Sequence, residues 1–159
     1  MDIATANRTD SEAQIQVRRR LEEIWPAAAA RDFDRLESFH AYGPTFTMFK
    51  DGKPRGDAAA CAAGERAFFG MLEEQAVEMN DLAINVVGDA AIATFNGHFG
   101  GRIAGNAVAV DQQVTMVLAR IGEDWKIVHE HMSPIGGPGA GGPPGAGGPP
   151  PGAGGQPRS

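Results

Sequence analysis

Residues 125–133 read WKIVHEHMS, and this stretch carries more structural information than any other part of the chain. Side chains in a β-strand point alternately to the two faces of the sheet. On that rule Trp125, Ile127, His129 and His131 share one face, and the residues between them share the other. The face that begins with two apolar side chains therefore ends with two imidazoles, so we expect both histidines to point towards the core.

A second strand precedes this one and predicts a hairpin. Residues 114–120 read VTMVLAR, and the turn residues Gly122, Glu123 and Asp124 follow them. The simplest register pairs Arg120 with Trp125, Leu118 with Ile127, Met116 with His129, and Val114 with His131.

The remaining elements predict an α+β domain. Thr9, Asp10 and Ser11 offer caps for a long helix whose apolar positions recur at spacings of three and four. A short helix over 32–39, a strand over 45–49 and a helix that Asp57 begins come next. Strand-like segments follow at 75–87, 90–104, 107–120 and 125–133. Helices first and hairpin-connected strands afterwards favour a strongly curved antiparallel sheet wrapped around the long N-terminal helix.

The ending Trp-x-Ile-Val-His-x-His-x-Ser resembles the last strand of the nuclear transport factor 2-like superfamily, in its SnoaL-like and ketosteroid-isomerase-like branch. The resemblance covers roughly residues 10–135 and implies a cone-shaped α+β barrel. The same ending is also similar to that of the association domain of calcium/calmodulin-dependent protein kinase II. The resemblance therefore predicts the fold but does not identify a reaction.

Composition divides the chain into three parts. Residues 1–9 are expected to form a flexible N-terminus, and residues 10–135 the SnoaL-like domain. Residues 136–159 contain 11 Gly and 7 Pro, a composition that buries too little apolar surface to offset chain entropy. We therefore predict a disordered Gly/Pro-rich tail.

Charge and cysteine content exclude several classes of function. The segment before the tail holds all 20 acidic residues and 13 of the 14 basic ones, for a net charge of −7 with neutral histidines. This balance argues against nucleic acid and anionic membranes as partners. Cys61 is the only cysteine, so we expect no disulfide, no metal and no cofactor. No targeting segment or long apolar window is present, which predicts a soluble, cytoplasmic protein.

The curved sheet should enclose an amphiphilic pocket suited to a small apolar molecule. With the register above, His129 and His131 line it beside Met116. The resemblance implies that Thr94, Asn96 and His98 face it as well, and Trp25 and Tyr42 would close the wall. His129 is the leading candidate for a general base, with His98, His131 and Tyr42 as further catalytic candidates. The alternative is that these groups only make hydrogen bonds that stabilise the strands.

Two functions stay open. Ketosteroid isomerases need a tyrosine and an aspartate where this chain has Ile24 and Met48, so the resemblance does not extend to their standard mechanism. The first function is a cofactor-independent isomerase, cyclase or dehydratase. The second is a noncatalytic dimerisation or ligand-sensing module. In both cases we expect a homodimer, because Val117, Val128, Met132 and Val86 or Val87 are predicted on the outer face.

Overall fold

The computed structural model describes residues 11–136, and they fold as predicted into an α+β domain. The predicted N-terminal segment 1–9 and nearly all of the predicted tail lie outside the described residues. Within that range the elements follow in the order α1 (Glu12–Ala29), α2 (Phe33–Ser38), β1 (Thr47–Lys50), α3 (Ala58–Met71), β2 (Glu73–Val87), β3 (Ala90–Ile103), β4 (Asn106–Ile121) and β5 (Asp124–Pro134).

Side-chain caps fix where the helices begin. Ser11 and Gln14 form a reciprocal capping box at the start of α1, with Ser11 N donating to Gln14 Oε1 at 2.8 Å. Asp32 and Asp57 accept hydrogen bonds from the first turns of α2 and α3, as expected from the sequence. Pro26 lies inside α1, which continues to Ala29. The long helix is thus held at one end and spans the domain.

The five strands form one curved, unclosed sheet in the order β1-β5-β4-β3-β2. Strands β2 to β5 are joined as antiparallel hairpins, whereas β1 pairs parallel with β5. One sheet face packs against α1, whose residues Val17, Leu21, Ile24 and Ala28 are all buried. The predicted apolar stripe of α1 is therefore confirmed as the core side of that helix.

A bulge interrupts the predicted hairpin register. Arg120 pairs with Trp125 and Leu118 with Ile127, as predicted, but His129 then pairs with Val117 rather than Met116. Val128 is the extra residue. A β-bulge of one residue exchanges the two faces of the strand beyond it. The predicted pairs Met116–His129 and Val114–His131 are therefore wrong, and Met116 faces Glu130 while Val114 faces Met132.

Candidate functional site

A cavity of about 290 Å³ lies between α1, α3 and the inner face of the sheet. Most of its wall is apolar and comes from aromatic, aliphatic and methionine side chains, among them Trp25, Phe68, Phe99, Val114, Met116 and Met132. Its polar wall residues fall into two groups. Lys50, Asp51 and Gln112 form the first, and His40, Cys61, Glu65 and Glu130 form the second. This composition is typical of a pocket for a small organic molecule.

The second group is a buried polar cluster, which we call the acid cluster and define as His40, Cys61, Glu65 and Glu130. His40 Nε2 lies 3.3 Å from Glu130 Oε1 and 3.7 Å from Glu65 Oε1. Cys61 Sγ donates to Glu130 Oε2 at 3.5 Å. The Glu130 side chain is only 3% exposed, so both its oxygens depend on these neighbours for solvation.

Three separate elements bring the acid cluster together. Cys61 and Glu65 are four positions apart on α3 and therefore lie on one face of that helix. His40 follows α2 and is held against β5 by the backbone hydrogen bonds Ile127 N to Phe39 O and Ala41 N to Ile127 O. Glu130 reaches the cluster because the bulge at Val128 turns it inward.

Neighbouring groups orient the cluster. His40 Nδ1 lies 3.1 Å from the carbonyl oxygen of Leu36, which directs Nε2 towards the two carboxylates. Tyr42 stacks on the His40 ring with centroids 4.7 Å apart, and its hydroxyl donates to Glu65 Oε2 at 3.3 Å. These contacts hold the rings and carboxylates in one arrangement.

Burial and crowding shift the protonation of these groups. Burial, together with the nearby charge of Glu130, raises the pKa of Glu65 to about 7, although His40 and Tyr42 act in the opposite direction. Burial alone would lower the pKa of His40, but the hydrogen bond and charge of Glu130 and the charge of Glu65 outweigh it, so the pKa is raised. Burial and the charges of the glutamates also raise the pKa of Cys61. Glu65 is thus suited to gain and lose a proton near neutral pH.

The acid cluster also has the composition of a cation site. Imidazole nitrogen, thiol sulfur and two carboxylates offer one ligand atom each, and all four atoms lie within 4.8 Å of one another. The sequence led us to expect no metal, partly because a single cysteine cannot build a thiolate site. Mixed nitrogen, sulfur and oxygen ligands bind zinc in other proteins, so among residues 11–136 these four are the group that could hold a metal.

Three of the predicted site residues lie at or beside the cavity. Trp25 and Met116 belong to its wall. Trp25 also packs edge-on against Phe99, with ring centroids 5.6 Å apart. Tyr42 contacts the acid cluster through Glu65. Whether any of them touches a ligand stays a prediction.

The predicted inward orientation of His129 and His131 is wrong. Beyond the bulge these side chains point to the outer face, where His129 Nδ1 lies 2.8 Å from Thr47 Oγ1 and His131 is exposed. Both rings lie 6.0 Å from the ring of Phe49. Their outward orientation separates them from the cavity.

The expected inward positions on β3 are also wrong. Phe95 and Phe99 are buried on the inner face, so strand alternation places Thr94, Asn96 and His98 on the outer one. His98 Nδ1 lies 2.6 Å from Asp111 Oδ1, and this hydrogen bond raises the pKa of the imidazole. His98 therefore forms an outer-face pair with Asp111 instead of lining the pocket.

Sequence reasoning missed all four residues of the acid cluster. The spacing of Cys61 and Glu65 could have indicated a shared helix face. Glu130 was hidden because simple alternation places it outside, and His40 stands in a short connection with no periodic pattern. These residues meet only through tertiary structure.

Comparisons with known proteins agree with this fold. Residues 17–136 match the SnoaL-like domain family, and the chain belongs to that family. A candidate dehydratase of the NTF2-like family from Streptomyces avermitilis is 19% identical, with a TM-score of 0.66 over 76% of this chain and 95% of its own. Comparison with curated proteins finds no match.

Two further solved structures are described by their likeness to the association or hub domain of calcium/calmodulin-dependent protein kinase II. A candidate calcium/calmodulin-dependent protein kinase II association domain from Xanthomonas campestris is 16% identical, with a TM-score of 0.67 over 80% of this chain and 91% of its own. The kinase hub homology domain from Chlamydomonas reinhardtii is 20% identical, with a TM-score of 0.62 over 79% and 99%. At these identities the likeness establishes the fold alone. Within residues 11–136, no helix has the length and apolar character needed to span a membrane.

Proposed function

We propose that this SnoaL-like domain binds a small, largely apolar molecule in its cavity and transfers protons on it without a cofactor. The single observation that carries the proposal is the position of the acid cluster in the wall of a mostly apolar cavity. A carboxyl group in such surroundings is a stronger base towards a bound carbon acid than it is in water. An isomerisation moves a proton from one carbon atom to another, and a dehydration removes a carbon-bound proton while the carbon–oxygen bond breaks and the departing hydroxyl group takes up a proton to leave as water. Both reactions therefore need a group that accepts and donates a proton.

Glu65 is the proposed proton-transfer residue. Its pKa of about 7 leaves both protonation states populated at neutral pH, so it can act as a base and return the proton as an acid. Glu130 and His40 form the ion pair that fixes its surroundings, and Tyr42 orients its carboxyl group. Tyr42, predicted from the sequence as a catalytic candidate, is proposed here as a positioning residue.

The test uses 5-nitrobenzisoxazole, a neutral aromatic probe from which a base removes one carbon-bound proton while the nitrogen–oxygen bond breaks, giving a coloured phenolate. We expect the wild type to accelerate this elimination at pH 8 and Glu65→Gln to lose roughly 100-fold of the acceleration, within the usual contribution of a general base. Absorbance of the phenolate measures the rate.

The matched control is Glu123→Gln, which makes the same change at an exposed residue in the turn between β4 and β5. It should keep the full rate. Equal rates for Glu65→Gln and the wild type would remove the support for proton transfer at Glu65.

A second candidate function is a noncatalytic association module. It is favoured by the likeness to kinase association domains and by the apolar residues on the outer face of the sheet, where Phe49 is 41% and Ile92 is 45% exposed. A homodimer through this face would also suit the enzyme, so dimer formation supports association without excluding catalysis. The cytoplasmic location stays a prediction.

A further inference from the structure

We infer that the ligand of the cavity is an apolar molecule carrying one protonated amine, which binds between the carboxylates of Glu65 and Glu130. This inference rests on the proposed function, since it names the chemical class of molecule that the same cavity takes. It is carried by the charges of the wall, the nature of its apolar side chains and the way the acid cluster is solvated.

The charged groups of the cavity favour a cation. Three carboxylates lie in its wall, those of Asp51, Glu65 and Glu130, against the single ammonium group of Lys50 and the imidazole of His40. His40 is already paired with Glu130 at 3.3 Å, and Lys50 Nζ lies over the ring of Phe68 at 5.8 Å from its centroid. Within the described range 11–136 no arginine belongs to this wall, so an anionic ligand would find no guanidinium there to bind it.

The apolar side chains also suit a cation. Aromatic rings carry negative charge on their faces and attract ammonium groups within about 6 Å of the ring centroid. The wall contains Trp25, Phe68 and Phe99, and Phe68 already receives such a contact from Lys50 Nζ at 5.8 Å. Methionine sulfur adds polarisable surface from Met48, Met116 and Met132.

The solvation of Glu65 supplies the third argument. Its side chain is 17% exposed and accepts a hydrogen bond from Tyr42 at 3.3 Å, while its nearest cationic partner, His40, lies closer to Glu130 than to Glu65. A buried carboxylate is costly unless a cation or hydrogen bonds compensate its charge. A ligand ammonium group would provide both, because it donates up to three hydrogen bonds.

The test compares three probes of similar shape by isothermal titration calorimetry at pH 8: 2-phenylethylamine, 2-phenylethanol and 3-phenylpropionate. We expect the amine to bind at least about tenfold more tightly than the alcohol, and the carboxylate to show no binding. Glu65→Gln should abolish the preference for the amine while leaving the affinity for the alcohol within about twofold. Glu123→Gln should leave all three affinities unchanged.

Two outcomes would overturn the inference. Equal or tighter binding of the alcohol would show that the cavity takes neutral molecules, and the proton-transfer proposal would then still be judged separately by the elimination rate. Displacement of the amine by stoichiometric ZnCl₂, with zinc binding lost in Cys61→Ser, would show that the acid cluster is a metal site instead.

Discussion

At the scale of single residues, the protonation of Glu65 couples the site to the stability of the domain. Its pKa is about 7 in the folded chain and lies at the ordinary value of 4.5 when the chain unfolds. Between these values the folded state holds a proton that the unfolded state has lost, so the stabilising contribution is complete below about pH 4.5 and is lost as the pH rises through 7. The pKa of His40 is also raised in the folded chain, so its contribution to stability likewise falls as the pH rises above the ordinary value of 6.5.

We therefore predict that the free energy of unfolding of the wild type falls between pH 5 and pH 8. A shift of this size corresponds to a few kcal/mol at most, and we expect a fall on the order of 1–3 kcal/mol. Glu65→Gln removes the titration of Glu65 and should make the free energy of unfolding depend less on pH, whereas Glu123→Gln should retain the dependence of the wild type. Urea unfolding at pH 5, 6.5 and 8 gives the slope of the free energy of unfolding against pH for each of the three proteins. Identical slopes for the wild type and Glu65→Gln would contradict the burial of an ionisable Glu65.

At the scale of elements, the sequence predicted most of the fold and little of the site. Caps at Asp32 and Asp57, the apolar spacing along α1 and the turn at Gly122 each act locally, so each could be recognised from neighbouring residues. The bulge at Val128 could not, because alternation alone gives no sign of an extra residue. That one residue put Glu130 in place of His129 on the inner face, so the prediction assigned the two histidines of β5 to the wrong side of the sheet.

A glycine in β3 shapes the cavity wall. A Cβ atom added at Gly97 would lie 2.7 Å from Cε2 of Phe99, whose ring packs on Trp25. Gly97→Ala should therefore push Phe99 out of place and destabilise the domain by about 1–3 kcal/mol, as overpacking does elsewhere. Near-ultraviolet circular dichroism and urea unfolding measure the two effects.

The control for this substitution is Gly64→Ala. Gly64 lies within α3, where an added Cβ meets nothing within 4 Å. Alanine favours a helix over glycine by roughly 0.5–1 kcal/mol, so this variant should be as stable as the wild type or more so. Equal free energies of unfolding for Gly97→Ala and Gly64→Ala would argue against close packing at Gly97.

At the scale of the whole molecule, one fold serves both candidate functions. Its inner face carries a cavity with ionisable groups, and its outer face carries Phe49 beside His129 and His131. The prediction that Met132 lies on the outer face is wrong, because Met132 lines the cavity on the inner face. A fold of this kind does not determine function, so each face has to be tested separately.

We predict that the outer face forms a homodimer. Phe49→Asp should convert the protein to a 16.7 kDa monomer at micromolar concentration, because a buried carboxylate without a partner is costly in an interface. Met71→Asp changes a residue that is 55% exposed at the end of α3 rather than on the sheet, and should leave the dimer intact. Sedimentation velocity distinguishes the species, and a monomeric wild type would exclude this interface.

We assign proton transfer to Glu65 on the inner side of the sheet and not to His129 on the outer side. The pH dependence of 5-nitrobenzisoxazole elimination tests it most directly when wild type, Glu65→Gln and His129→Ala are compared. We expect the wild type and His129→Ala to share one profile, rising with a pKa of about 7, and Glu65→Gln to lose it. Loss of the profile in His129→Ala, with Glu65→Gln unaffected, would contradict the claim.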